Sequence, residues 1–213
     1  MKSKIGILGS GAVAKALAAG FLDLGHEVMV GSSDLSKLEE IKRGLNIKTG
    51  NFQQASAFGN ILVLAVKGSA AIKVCSNLNA EDVNGKTIID TTNPISEIPP
   101  VNGVIQYFTP QNDSLGSQLQ KNQTGANIVK AFNSVGSHLM YKPNFAGGKP
   151  GMFICGNDQN AKAEVASILD DFGWEVEDMG SIDAAGSLES LCVLWCIRGF
   201  LENKWVHAFK LLK

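Results

Sequence analysis

Lys4-Ile5-Gly6-Ile7-Leu8-Gly9-Ser10-Gly11-Ala12-Val13-Ala14 is the stretch from which the rest of the chain is read. A short apolar run ends in a glycine turn. The turn opens a segment in which Val13, Ala14, Leu17, Ala18 and Phe21 repeat at helical spacing. The pattern is GxGxxA between a strand and a helix, and each small residue has a physical task in it. Gly9 permits the tight turn, Gly11 lets a pyrophosphate approach the backbone, and Ala14 lets the helix pack closely. The helix start offers free N–H groups and a partial positive charge to phosphate. The expectation is a dinucleotide cleft.

Outward from this unit, short β-branched runs alternate with helical stretches as far as residue 183. Strands are expected at 4–8, 27–30, 46–49, 61–66, 87–90, 127–131, 152–155 and 175–178. Most are apolar without alternation, as strands buried on both faces are. The rhythm predicts an α/β fold, a doubly wound and mostly parallel sheet of the Rossmann NAD(P)-binding type, over residues 1–183. Residues 95–113, broken by Pro99, Pro100 and Pro110, read as a loop bordering a ligand site. Residues 184–213 read as a short C-terminal helical extension, with a helix over 184–198. Leu188, Leu191, Cys192, Trp195 and Cys196 mark one face of that helix, but Val193, Leu194 and Ile197 make the other face apolar too. A helix apolar on both sides is buried on both, which predicts a homodimer interface.

The composition narrows the function. Nineteen Lys and Arg against twenty Asp and Glu give a net charge of -1, so no basic field exists to attract nucleic acid or anionic lipid. The longest apolar run near the end, from Leu191 to Ile197, is too short to cross a bilayer, and the opening residues lack a secretory pattern. The expectation is a cytoplasmic protein without a nucleic-acid or membrane partner. Cys75, Cys155, Cys192 and Cys196 form no CxxC pair and no metal-ligand spacing with histidine; they read as buried reduced thiols, with no metal site.

The end of the second strand selects the dinucleotide. An acidic residue there bonds a ribose 2′-hydroxyl and repels a 2′-phosphate. This chain has Gly31-Ser32-Ser33-Asp34. Ser32 and Ser33 can donate to a phosphate, and Lys37 can reach back with its charge, which favours NADP(H). In the alternative, residues 33–36 are an ordinary helix N-cap and Lys37 is a solvated side chain.

The segment IGILGSGAVAKALAAGFLDLGHEVMVGSS, with the later VKAFNSV, ICGND and EDMGSI, resembles the deazaflavin (coenzyme F-420) dependent NADP oxidoreductases. It is similar also to the NADPH-binding domains of the STEAP metalloreductases. The likeness covers residues 5–182, and AFKLL at 208–212 resembles the end of the former group. It implies that Ser10, Gly11, Ala12 and Val13 hold the pyrophosphate and that Ser32 and Lys37 hold the 2′-phosphate. Ser33 stands where that family usually has Arg. Val66 and Lys67 would lie along the ribose, and Thr92, Asn93 and Pro94 would approach the nicotinamide. Asn133 falls where the deazaflavin enzymes tend to have His and the metalloreductases Asn. Read without the resemblance, 91–94 can be a plain turn and Asn133 or Ser134 a helix N-cap.

No acid or base stands out, and His26, His138 and His207 are poor candidates for one, so the catalytic residues are left unassigned. Hydride transfer to a flavin-type ring needs alignment but no dedicated protonating side chain. Alcohol and hydroxy-acid dehydrogenases need one. The expected function is therefore NADP(H)-dependent hydride transfer with a flavin or deazaflavin as co-substrate. The alternative is a non-catalytic NADP(H)-binding redox sensor.

Overall fold

Alternation along the strands builds two helical layers around one sheet. The computed structural model describes residues 2–213, apart from the side chain of Leu35. Strand β1 (Lys4–Leu8) is followed by α1 (Ala12–Asp23), β2 (Glu27–Gly31), α2 (Leu35–Gly44), β3 (Lys48–Gly50), α3 (Phe52–Phe58) and β4 (Ile61–Leu64). Then come α4 (Gly68–Ser76), α5 (Ala80–Val83), β5 (Thr87–Asp90), α6 (Leu115–Asn122) and β6 (Asn127–Lys130). The chain ends with β7 (Gly151–Gly156), α7 (Gln159–Asp171), β8 (Glu175–Asp178) and α8 (Ala185–Glu202).

The sheet order is β3-β2-β1-β4-β5-β6-β7-β8, and every neighbouring pair is parallel except β6 and β7. Ile5, Ile7, Ile61, Val63, Ile89 and Val129 point to the face covered by α1, α2 and α7. Leu8, Leu62, Leu64, Ile88 and Ile128 point to the face covered by α3, α4, α6 and α8. This period of two also decides the fate of two charged residues. Asp90 and Lys130 end β5 and β6 in register, and both belong to the second face.

The doubly wound, mostly parallel sheet agrees with the sequence reading, and three strands match it at both ends. The connection from β6 to β7 holds only a single 3-10 turn, Ser137–Leu139, and no crossover helix, so β7 returns antiparallel. It begins at Phe132, which is buried in the left-handed region at φ 61°.

The C-terminal helix is longer than expected and the tail after it is not helical. Asn203, left-handed at φ 51°, ends α8. Residues 203–213 run extended across the end of β7 and β8, where the Gly151 N–H donates to the Phe209 carbonyl oxygen at 2.9 Å and Lys213 pairs with buried Glu177 at 2.9 Å. Residues 182–202 are long and apolar enough to cross a membrane by length and composition alone. In the fold α8 instead packs on α6 and β7 through Ala185 and Leu188, while Cys192, Trp195 and Cys196 pack with Ile105, Tyr107, Trp205 and Phe209, and Glu189 is buried. All four cysteines are buried free thiols, and burial pushes Cys75 and Cys155 up to about 12, far from nucleophilic use at neutral pH.

Candidate active site

β1 and β4 are neighbours whose crossovers run in opposite directions, and a crevice opens beyond their carboxyl ends. Gly9 turns the chain there at φ +135°, and a Cβ on it would lie 2.1 Å from the Ala65 carbonyl oxygen. Glycine is required by conformation and by space. Gly11 is the opposite case. It is the N-cap of α1, a Cβ on it would meet nothing within 4 Å, and no side chain caps the helix. The first turn also holds no acidic residue. Open space thus stands over uncapped N–H groups, which is the room and charge that a pyrophosphate requires. Ser10, Ala12 and Val13 all keep some exposure around it.

One end of the crevice lies past β2. Ser32 is buried, with its hydroxyl 2.9 Å from that of Ser10 and accepting the Asp34 N–H at 3.1 Å, while Ser33 is exposed. Asp34, within the 33–36 segment read as a helix N-cap, is the N-cap of α2. Its carboxylate accepts from the Ser36 and Lys37 N–H groups and the Ser36 hydroxyl. The Ser36 hydroxyl and the Lys37 N–H hold its pKa below the usual carboxylate range. The negative charge is therefore turned into the first turn of α2. Lys37 Nζ lies 3.4 Å from Asp34 Oδ2 in an exposed ion pair.

The other end is a cavity of about 330 Å³ past β4 and β5. It is lined by Val13, by residues 65–69 and by residues 91–93 and 95–97. Gly68 starts α4 against the opposite wall, where a Cβ would lie 2.0 Å from the Asn93 carbonyl oxygen. Of the residues the sequence singled out, Val13, Val66, Lys67, Thr92 and Asn93 line this cavity; Pro94 and Asn133 do not. Asn133 is buried behind Asn93, to which its amide donates at 3.1 Å. Ile95, Ser96 and Glu97 belong to the 95–113 loop expected to border a ligand site, whereas Gly68 and Ser69 were not anticipated. The available signal was a Gly-Ser helix start directly after an apolar strand. The titratable lining residues are Lys67 and Glu97, 4.0 Å apart at the rim and more than four-fifths exposed, and none of the three histidines is among the lining residues. A larger open depression, about 520 Å³ between α4 and α6, lies at the amino ends of β5 and β6. It is away from the glycine turn and from the strand ends where ligands of such sheets bind.

Known proteins share this chain's sequence pattern and fold. Residues 4–94 match the family model described as NADP oxidoreductase, coenzyme F420-dependent. A crystal structure from Arthrobacter sp. FB24, provisionally named an F420 dependent NADP-reductase, is 31% identical and superposes with a TM-score of 0.90, covering 99% of this chain and 100% of its own. Metalloreductase STEAP3 of Rattus norvegicus is 27% identical over 188 residues, 88% of this chain. The chain spans 36% of the length of that metalloreductase. A reductive aminase from Aspergillus terreus, solved with NADPH, shares the fold at a TM-score of 0.67 and 17% identity, over 95% of this chain and 64% of its own. The glycine turn, the crevice and a match along nearly the whole length lead to one assignment: the chain belongs to the coenzyme F420-dependent NADP oxidoreductase family.

Proposed function

We propose that this protein transfers hydride between NADP(H) and a flavin or deazaflavin-type acceptor, in the cytoplasm. The observation that carries the reading is a cavity joined to an uncapped glycine turn and lined without a buried acid or base. The open space at Gly11 and the N–H groups of α1 would hold the pyrophosphate. Ser32, Ser33 and Lys37 would hold the 2′-phosphate, Val66 and Lys67 the ribose, and Thr92 and Asn93 the nicotinamide. The bound pair would supply the redox chemistry, hydride exchange between the nicotinamide and the acceptor ring, with one proton exchanged with solvent at the ring's edge. The chain's part is to align two flat rings and exclude water, and alignment of this kind lowers barriers greatly. Pro94 and Asn133 back the wall.

The acceptor side stands open in one copy of the chain. Ile95, Ile98, Val101, Val104 and Phe108 of the loop after β5 are exposed, Ile95 at the cavity itself, and so are Leu194 and Leu201 on α8. Large exposed apolar patches mark interaction surfaces. Burying each such side chain in a two-fold dimer contributes about 1.5 to 3 kcal/mol before association costs. Homodimerisation over α8 would cover the patch and wall the acceptor site. Sedimentation tests it: a dimer is expected, and Leu194→Asp should give monomers. A panel of coenzyme F420, FMN, FAD and a flavin-mediated ferric chelate tests the activity. NADPH oxidation with at least one is expected; tight NADP(H) binding with no turnover on any would make the protein a redox-state sensor instead.

A further inference from the structure

Three charged side chains meet in the interior behind the cavity wall. Asp90 ends β5, Lys130 ends β6 beside it, and Glu189 comes from the second turn of α8; none is more than 1% exposed. Lys130 Nζ stands 2.8 Å from Asp90 Oδ2 and 2.9 Å from Glu189 Oε1, and it donates to the Thr92 carbonyl oxygen at 2.8 Å. Asp90 Oδ1 accepts the Thr92 N–H at 2.9 Å and the Thr92 hydroxyl at 2.7 Å. Glu189 accepts the Gly116 and Leu115 N–H groups at 2.9 and 3.3 Å, at the start of α6.

Every partner of either carboxylate is a donor. The Lys130 ammonium, three backbone N–H groups and the Thr92 hydroxyl form a donor set that two carboxylates fill as acceptors. Burial works against the Lys130 ammonium, but Asp90 and Glu189 outweigh it and hold its pKa above the ordinary lysine value. The cluster therefore holds one negative charge in excess, faced by the N–H groups of α6.

Burying an unmatched charge is costly, and apolar residues would fill the same space more cheaply. What apolar residues would not do is grip Thr92. Its N–H, hydroxyl and carbonyl oxygen are all bound by the cluster, and Thr92 lines the cavity. Glu189 also ties the wall to α8, as does Leu188, whose carbonyl oxygen accepts from Asn133 at 2.7 Å.

We propose that Asp90, Lys130 and Glu189 are positioning residues: they fix Thr92, and their excess negative charge favours the oxidised nicotinamide over the reduced one. The inference rests on reading the cavity as the nicotinamide site. The oxidised ring carries a positive charge that the reduced ring lacks, so a fixed anion behind the wall stabilises bound NADP⁺ relative to bound NADPH. Positive charge also develops on the ring as hydride leaves, and a fixed anion eases that step.

Calorimetric titration with NADP⁺ and with NADPH, on the full-length protein and on Glu189→Gln, tests this. The substitution keeps the shape and removes the excess charge, leaving Lys130 paired with Asp90. NADPH affinity should stay within about twofold, and Kd(NADP⁺)/Kd(NADPH) should rise at least about threefold, the scale of one unit charge at protein-like dielectric. A role in packing alone would move both affinities together. Should Glu189→Gln lose its fold by circular dichroism, Glu189→Met removes the same charge and carries the same expectation. Wild-type protein that binds both forms, with a folded variant whose ratio is unchanged, overturns the inference alone. Wild-type protein that binds neither form overturns the nicotinamide reading and the inference with it.

Discussion

Asn133 and Asn93 form a reciprocal pair: the Asn133 amide donates to Asn93 Oδ1 at 3.1 Å, and the Asn93 amide donates to the Asn133 carbonyl oxygen at 2.8 Å. Asn133 also donates to the Leu188 carbonyl oxygen at 2.7 Å, so both of its amide hydrogens are engaged within the protein. It acts on the cavity only through Asn93. Asn133→Ala strips a partner from Asn93 and from the Leu188 carbonyl, and urea unfolding should show a loss of about 1 to 3 kcal/mol. An unchanged midpoint would contradict the pairing.

Gly9 and Gly11 should respond in opposite ways. Gly9→Ala meets a backbone oxygen and an unfavourable φ, and should lose several kcal/mol of stability or fail to fold. Gly11→Val enters open space, so circular dichroism should report a folded domain. Calorimetry should then show no binding of NADPH or NADH. Normal NADPH binding by Gly11→Val would remove the glycine turn from the nucleotide site.

Lys37→Ala should weaken NADP(H) by about 1 to 2 kcal/mol and leave NAD(H) unchanged, because only the former carries the phosphate that Lys37 would meet. Equal effects on both would make Lys37 a surface charge.

His26 gives a pH dependence of stability. Its Nδ1 accepts the Ser3 N–H at 3.1 Å and its ring meets Phe21 edge-on. Burial lowers its pKa from the ordinary histidine value. The unfolded chain then binds the proton more tightly than the folded one, so stability is full above about pH 6.5 and falls as pH drops below it. Thermal melts from pH 7.5 to 5.5 should show the decline, and His26→Gln should flatten it. A slope that survives the substitution would assign the effect to another group.

Much of the fold was legible because its signals are local. Apolar runs such as Ile61-Leu62-Val63-Leu64 need no distant partner to be read as buried strands, and the glycine turn carries its own geometry. The Asp90, Lys130 and Glu189 cluster was not legible, since only sheet register and the docking of α8 bring the three together. A charged residue closing each of two buried strands was the available hint. Asn133 was legible as a residue near the site but not as one behind it, because that depends on the left-handed turn at Phe132. The extended tail at 203–213 escaped notice because its anchors, the Gly151 N–H and Glu177, lie far back in the chain.

Direct transfer of hydride is the central claim, and isotope tracing tests it most closely. NADPH deuterated at nicotinamide C4 is mixed with oxidised deazaflavin and catalytic protein, and the reduced deazaflavin is examined by mass spectrometry. Its C5 forms a carbon–hydrogen bond that does not exchange with water, so the label records the path of the hydride. The account predicts one deuterium at C5 from one of the two C4-labelled isomers and none from the other. Oxidation of NADPH by deazaflavin without label at C5 would contradict it, as would a protein that binds NADPH and oxidises it with no acceptor of the panel.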